Sequence, residues 1–404
     1  MTTIIYFIPI VIAIFIFIFF RTKVVWWEYL IVIVPTLLLT LIISTVMIHS
    51  RTQATEYFGD YVTEAHDYEF WDEWITETCS RTVDDGNGKS HSESYDCSHR
   101  DDHPEHWTQV LSNGKEQEIS KDEYYKLLKS WNARKIFVDM NRDFYNNDGN
   151  MYNIKWDNNI YSSKTITTEH SYTNKINSSY SIFGFSKISK KVAKEDGLYD
   201  YPNLYSNNDG SNGMFSSGSG TNDQSPFLGY KPTLKELKSW QYINGYYGQK
   251  NQIRVFLMFY YNKSRSIVKE QQSYWLGGNK NELVLCFGLD SISKNIQWVD
   301  AFSWSDKPTF EVNFRSYYNG KTKLNLEELA NWTESNIPKY WQRKQFKDFE
   351  YIDVDLSSAQ QIWLFIIILI VSLGLSVYVI LNNYYYDKNG RVVDENNKWN
   401  NYRY

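Results

Sequence analysis

The sequence lacks the short motifs that usually disclose an activity. Its 404 residues contain no HExxH, no nucleophile elbow and no glycine-rich loop opening a helix after a strand. Zinc-protease, α/β-hydrolase and dinucleotide-binding signatures are therefore all missing. An excess of one charge is missing too, because 42 Lys and Arg stand against 47 Asp and Glu for a net −5. That balance gives no electrostatic footprint for nucleic acid. No internal repeat is visible, and no regular aromatic stripe organises the 33 Tyr, 22 Phe and 15 Trp.

Apolar residues, by contrast, are concentrated. Mean hydropathy is −0.51, yet 4–20, 29–48 and 361–381 are almost wholly apolar, and Ile4 to Phe20, Tyr29 to Ile48 and Ile362 to Leu381 carry no charge. Each is long enough to cross a hydrocarbon core of about 30 Å. The first run is not expected to be a cleaved signal peptide, since Met1-Thr2-Thr3 has no basic side chain. Arg21 and Lys23 follow the first run, and Lys388, Arg391, Lys398 and Arg403 follow the last. Cationic flanks stay cytoplasmic, so three spans place 51–360 outside and the tail 382–404 inside. Trp26, Trp27, Trp363 and Tyr384–Tyr386 fall at the span ends, where aromatic rings favour the headgroup region.

An exported setting suits a disulfide between Cys79 and Cys97, which bracket a polar Gly/Ser-rich loop. Cys286, inside the apolar run Leu283 to Leu289, is expected to be a buried free thiol. The segment Arg51 to Trp74 mixes acids and aromatics at roughly helical spacing and predicts one or two helices. Asn113-Gly114 predicts a tight hairpin between WTQVL and EQEI. Ser120 and Glu123 then form a capping box opening a helix to about Trp131. Lys135 to Asp139 and Tyr152 to Thr168 read as strands. The Gly/Ser/Asn-rich stretch 203–226 reads as a flexible linker, separating an extracytoplasmic subdomain 51–202 from an α/β subdomain 227–360. In the latter, Thr233 and Glu236 cap a short helix, and Ile253 to Tyr261, Arg265 to Leu276 and Leu283 to Leu289 give strand, helix and strand. Ile296 to Trp304 reads as a strand, Thr309 to Tyr318 as a strand or a helix, and Asn325 with Glu328 caps a helix to about Ser335.

Candidate chemistry is sparse. His99, His103 and His106, close to His91, are fit zinc ligands, but their spacing matches no closed zinc pattern and Pro104 disfavours a helix that would align them. Two Asn-Asn-Asp-Gly stretches, ending at Asp148-Gly149 and Asp209-Gly210, have the composition of calcium loops. An EF-hand register would put Phe144 or Tyr205 first and Lys155 or Ser216 twelfth, which leaves only a looser calcium site. The loop Trp275, Gly277, Gly278, Asn279, Lys280, Asn281, Glu282 is a possible functional turn, with the glycines serving as a helix C-cap. Asn177, Asn262 and Asn331 lie in glycosylation sequons, which matter only in a eukaryotic secretory pathway.

Two resemblances follow from these segments. WDEWITETC, YDCSHRDDHPEHW, IFVDMNRDFY, SIFGFSKIS and YWLGGNKNELVLCFGLD together resemble uncharacterised membrane proteins of large tailed bacteriophages, which implies a setting without a mechanism. Ile253 to Trp304, with Trp275-x-Gly277-Gly278-x-Lys280-Asn281, is similar to the TPM domain family. That resemblance implies a membrane-anchored α/β layer facing the periplasm, linked to assembly or repair of membrane complexes and, for some members, to phosphatase activity. The sequence thus predicts a membrane-anchored α+β protein with three transmembrane helices and a periplasmic interaction module for an envelope protein or membrane complex. A metal-assisted, phosphatase-like hydrolase is the rival, and binding of cell-wall carbohydrate by exposed aromatics is a third reading.

Overall fold

The computed structural model describes residues 7–20, 28–140, 149–158, 164–202 and 225–381, with short strands at 385–386 and 392–393. Several sequence expectations lie outside these residues: the start of the first apolar run, Arg21, Lys23, Trp26 and Trp27, Asp148, Asp209-Gly210, positions 203–224 of the linker, and the basic tail residues. The chain divides into two compact units, one of 1–54, 171–184 and 346–404, the other of 55–170 and 185–345.

The first unit is built on helices α1 (Ile8–Phe20), α2 (Glu28–Thr52) and the C-terminal helix Ser358–Leu381. The latter two are long and apolar enough to cross a membrane. Helix α1 spans 13 residues, about 20 Å at 1.5 Å per residue. Thr36, Thr40 and Ser44 of α2 and Ser372 and Ser376 of the C-terminal helix are buried. Small side chains of this kind let helix backbones approach closely. Their hydroxyls turn back on their own helices, with Thr40 Oγ1 donating to Thr36 O at 2.6 Å and Ser376 Oγ to Ser372 O at 2.5 Å. At the last turn of α2, Ser178 Oγ donates to Arg51 O at 2.6 Å, and nearby in sequence Lys175 Nζ donates to Glu350 O at 2.7 Å.

Among the described residues the second unit holds a six-stranded sheet, a four-stranded sheet and a ribbon of two-stranded pairs. The first is built from β1 (Gln53–Tyr68), β6 (His106–Leu111), β7 (Glu116–Ile119), β8 (Ile136–Val138), β9 (Met151–Lys155) and β10 (Thr165–Thr173) in the order β7-β6-β1-β9-β8, with β10 also on β1. Helix α3 (Lys121–Ser130) covers it, burying Tyr124 and Leu127 against Val62, Ala65, Leu111 and Ile154. The β6–β7 hairpin pairs Trp107 with Ile119 and Val110 with Glu116, and the Ser120–Glu123 capping box opens α3. Both follow the sequence reading.

Strand β1 does not. Its 16 residues replace the helix expected over 51–74. Spacing of acids and aromatics does not show which acids turn inward. Glu56, Asp60 and Asp67 are in fact buried, and each has a partner in Arg343, Ser112 or Lys135. Between β1 and β6 the chain runs out and back as β2 (Trp71–Ile75), β3 (Thr78–Asp84), β4 (Ser90–Asp96) and β5 (His99–His103), where β3 pairs with β4 and β2 with β5. The stretch 79–97, expected as a loop, is therefore mostly antiparallel ribbon.

The second sheet has the order β11 (Phe227–Leu228), β12 (Arg254–Tyr261), β13 (Glu282–Leu289), β14 (Ile296–Ser303); the first three are parallel and β14 is antiparallel. Near-continuous apolar strands such as β12 and β13 need cover on both faces. One face packs on α5 (Leu234–Asn251), α7 (Thr309–Tyr317) and α8 (Leu326–Tyr340) through Trp240, Phe310, Phe314 and Leu329. The other packs on α4 (Lys190–Asp196) and α6 (Ile267–Tyr274) through Ala193, Ile267 and Val268. Cys286 is a buried free thiol there. Helix α5, expected to be short, extends to 18 residues. Asn244 caps its sheet from within α5, its Oδ1 accepting from Val255 N at 2.7 Å and its Nδ2 donating to Val255 O at 3.0 Å.

Residues on both sides of 203–224 pack in this one unit. At Gly59 of β1 an added Cβ would lie 1.7 Å from Asn244 O, and at Gly248 of α5 it would lie 2.7 Å from Gly59 N. Backbone meets backbone there, and only glycine permits it.

Candidate functional site

The loop 275–282 is a closed polar joint. Leu276, Gly277 and Gly278 all have positive φ, at 51°, 90° and 73°, and reverse the chain from α6 into β13. Gly278 also makes room, since a Cβ there would sit 2.6 Å from Glu282 Oε2. Asn279 donates to Glu282 twice, from N to Oε2 and from Nδ2 to Oε1, each at 2.9 Å. The Tyr201 hydroxyl donates to the same Oε1. Burial pushes the Glu282 carboxyl upward, while Tyr201, Asn279 and Arg254 oppose that shift. Burial, and then the Glu282 charge, pushes the Tyr201 phenol well above its ordinary range. Asn281 Nδ2 donates to Tyr57 O at 2.7 Å, and Trp304 Nε1 donates to Gly277 O at 2.8 Å. Lys280 is buried with them. Such an arrangement holds a proton between Glu282 and Tyr201 away from solvent and pins β13 to its neighbours. Tyr201, Tyr57 and Arg254 were invisible in sequence because all three lie well outside the loop, the nearest, Arg254, 28 positions before Glu282.

His99 and His103 sit at the two ends of β5 in the ribbon, and His106 opens β6 of the first sheet. His99 Nδ1 lies 3.3 Å from Cys97 O, and His106 Nδ1 lies 3.1 Å from Pro104 O. His103 Nε2 lies 3.1 Å from Glu73 Oε1 and 3.7 Å from Asp101 Oδ2. Four residues of strand separate His99 from His103, about 13 Å, so a single ion cannot take both with His106. The structure instead brings His103 together with Glu73 and Asp101, their ligand atoms all within 4.8 Å. Glu73 was missed because only the register of β2 on β5 brings it there, whereas Asp101 stands two residues before His103 on the same strand. Cys79 and Cys97 form the expected disulfide, with Cα atoms 5.8 Å apart.

Charge marks the ribbon out. Residues 69–105 carry eleven Asp and Glu against Arg81, Lys89 and Arg100, a net −8 compared with −5 for the whole chain. Strand β4 is exposed throughout, and Phe70, Trp74 and Tyr95 are exposed beside these acids. A separate groove of about 630 Å³ runs along β7, lined by Lys115, Glu116, Gln117, Glu118 and Glu123. Elsewhere the buried Glu56 carboxylate accepts from Arg343 and lies 3.1 Å from His170 Nδ1.

The chain matches no protein-family model, no curated protein and no solved structure.

Proposed function

We propose that this protein is a membrane-anchored interaction module, held by three transmembrane helices with its large unit on the periplasmic side of a bacterial inner membrane. The observation that carries the reading is the acidic, disulfide-crosslinked ribbon 69–105 in a chain with two membrane-length helices. A disulfide persists in an oxidising compartment, and a protruding surface of one charge steers a complementary partner. In this reading the ribbon presents its carboxylates, with Trp74 and Tyr95, to a cationic face of another envelope protein or membrane complex. The phage-encoded setting and the TPM likeness of 253–304 belong to the same proposal, with modification of the host envelope as the concrete role.

The test is in-cell crosslinking of the full chain from positions on β3 and β4, beside a variant with Asp84, Asp85, Glu93 and Asp96 changed to Asn or Gln. A crosslinked envelope partner that the neutralised variant loses supports the reading. Equal crosslinking of both chains, or protease accessibility that puts the ribbon in the cytoplasm, refutes it.

A further inference from the structure

Opposite faces of the β2–β5 pair solve their charge problem differently. The register sets Trp71 against His103, Glu73 against Asp101 and Ile75 against His99. Side chains alternate between faces along a strand, so Asp72, Arg100 and Asp102 share one face, and Glu73, Asp101 and His103 the other. On the first face Arg100 pairs with both Asp72 and Asp102. On the second, two carboxylates stand directly opposite one another, an arrangement that destabilises a strand pair. No lysine or arginine pairs with either among the described residues; their shared partner is His103. Its ring is stacked on Trp71, with centroids 3.6 Å apart and planes 10° from parallel. That stack fixes the direction in which Nε2 points.

The distances fit an ion. Zinc bonds of 2.0–2.1 Å in a tetrahedron put ligand atoms about 3.3 Å apart, and 3.1 and 3.7 Å from His103 Nε2 bracket that spacing. The donor set is one imidazole nitrogen and two carboxylate oxygens, which suits a borderline divalent ion better than calcium or magnesium. We propose that Glu73, Asp101 and His103 form a three-ligand site for a divalent cation of the zinc class, with water in the fourth position. The site cancels the facing carboxylates and clamps β2 to β5 just below the disulfide. It is independent of whether the ribbon docks a partner.

The test uses the full chain in detergent, stripped with a chelator, then titrated with Zn²⁺ by calorimetry and with Co²⁺ by visible absorption. One ion per chain is expected, with cobalt showing the intense visible bands of a low-coordinate site. His103→Ala and the near-isosteric Glu73→Gln should each weaken binding by more than about 100-fold, beyond the loss typical of an outer-sphere partner. His99→Ala and Asp102→Asn, on the same ribbon, should bind as the parent does. No saturable binding, or an adventitious ion only, unaffected by Glu73→Gln, overturns the site. So does an equal loss in His99→Ala. Should His103→Ala misfold, Glu73→Gln alone decides, because it preserves shape and removes one ligand charge.

Discussion

Glu311 gives the sharpest electrostatic prediction. It lies in the first turn of α7, close to Asp300, which itself accepts from Arg265 Nε at 2.6 Å and from Arg315 at 2.7 Å. Burial raises the Glu311 carboxyl from 4.5 to about 7, with Arg315 pulling it down and Asp300 pushing it up. Between those two values the folded chain keeps a proton that the unfolded chain releases. Stability must therefore fall as pH rises from 4.5 to about 7 and level off above it. At 1.36 kcal/mol per pKa unit the ceiling is about 3 kcal/mol, and screening at a partly exposed site brings the expectation to roughly 1–3 kcal/mol. Glu311→Gln removes the titration. Urea unfolding of the full chain in detergent, followed by near-UV circular dichroism, should find the variant and parent alike near pH 4.5. Near pH 8 the variant should be the more stable by that amount. Taking the difference cancels Glu282 and every other shared group. A difference that stays flat with pH, or grows toward acid, refutes the reasoning.

Three further outcomes follow from the packing. Gly278→Ala places a Cβ at φ 73°, at about 1–2 kcal/mol, and crowds Glu282 as well, so denaturant midpoints should show a total loss above about 2 kcal/mol. Asn244→Ala orphans the buried N–H and C=O of Val255; at about 1–3 kcal/mol per unsatisfied group, equilibrium unfolding should register a loss of about 3 kcal/mol or more. Cys79→Ser with Cys97→Ser removes a crosslink spanning 18 positions, worth about 3 kcal/mol in the chain-entropy model. Hydrogen exchange should then speed up in β3 and β4 while β12 and β13 keep their protection.

What was legible in the sequence was local. Asn113-Gly114, the pairs Ser120/Glu123 and Thr233/Glu236, and the unbroken runs of β12 and β13 each state their structure within a few residues. Thr309 to Tyr318, open between strand and helix in sequence, is helix α7, with Phe310 and Phe314 on one buried stripe. The misreadings arise where partners are distant. Strand β1 hides its period because acids occupy inward positions, and their counter-groups arrive from as far as Arg343. Strands β3 and β4 have hardly any buried face, so no alternation betrays them; cross-strand bonds and a disulfide hold them. Gly245 and Gly248, inside α5, serve the approach of β1, a need that shows only once the two are side by side. The grouping of His103 with Glu73 and Asp101 needs a register that no spacing rule supplies.

The contact of Gly59 with Gly248 also sets an order of events during synthesis. At roughly 5–20 residues per second, about 10–40 s separate the emergence of the two glycines. Throughout that interval β1 lacks the cover of α5, and the buried Glu56 lacks Arg343, which comes later still. The first sheet is thus committed to waiting for the C-terminal half of the unit. A chain interrupted before α5 should be a substrate for chaperones and proteases, even with every residue of the ribbon and of the first sheet already made.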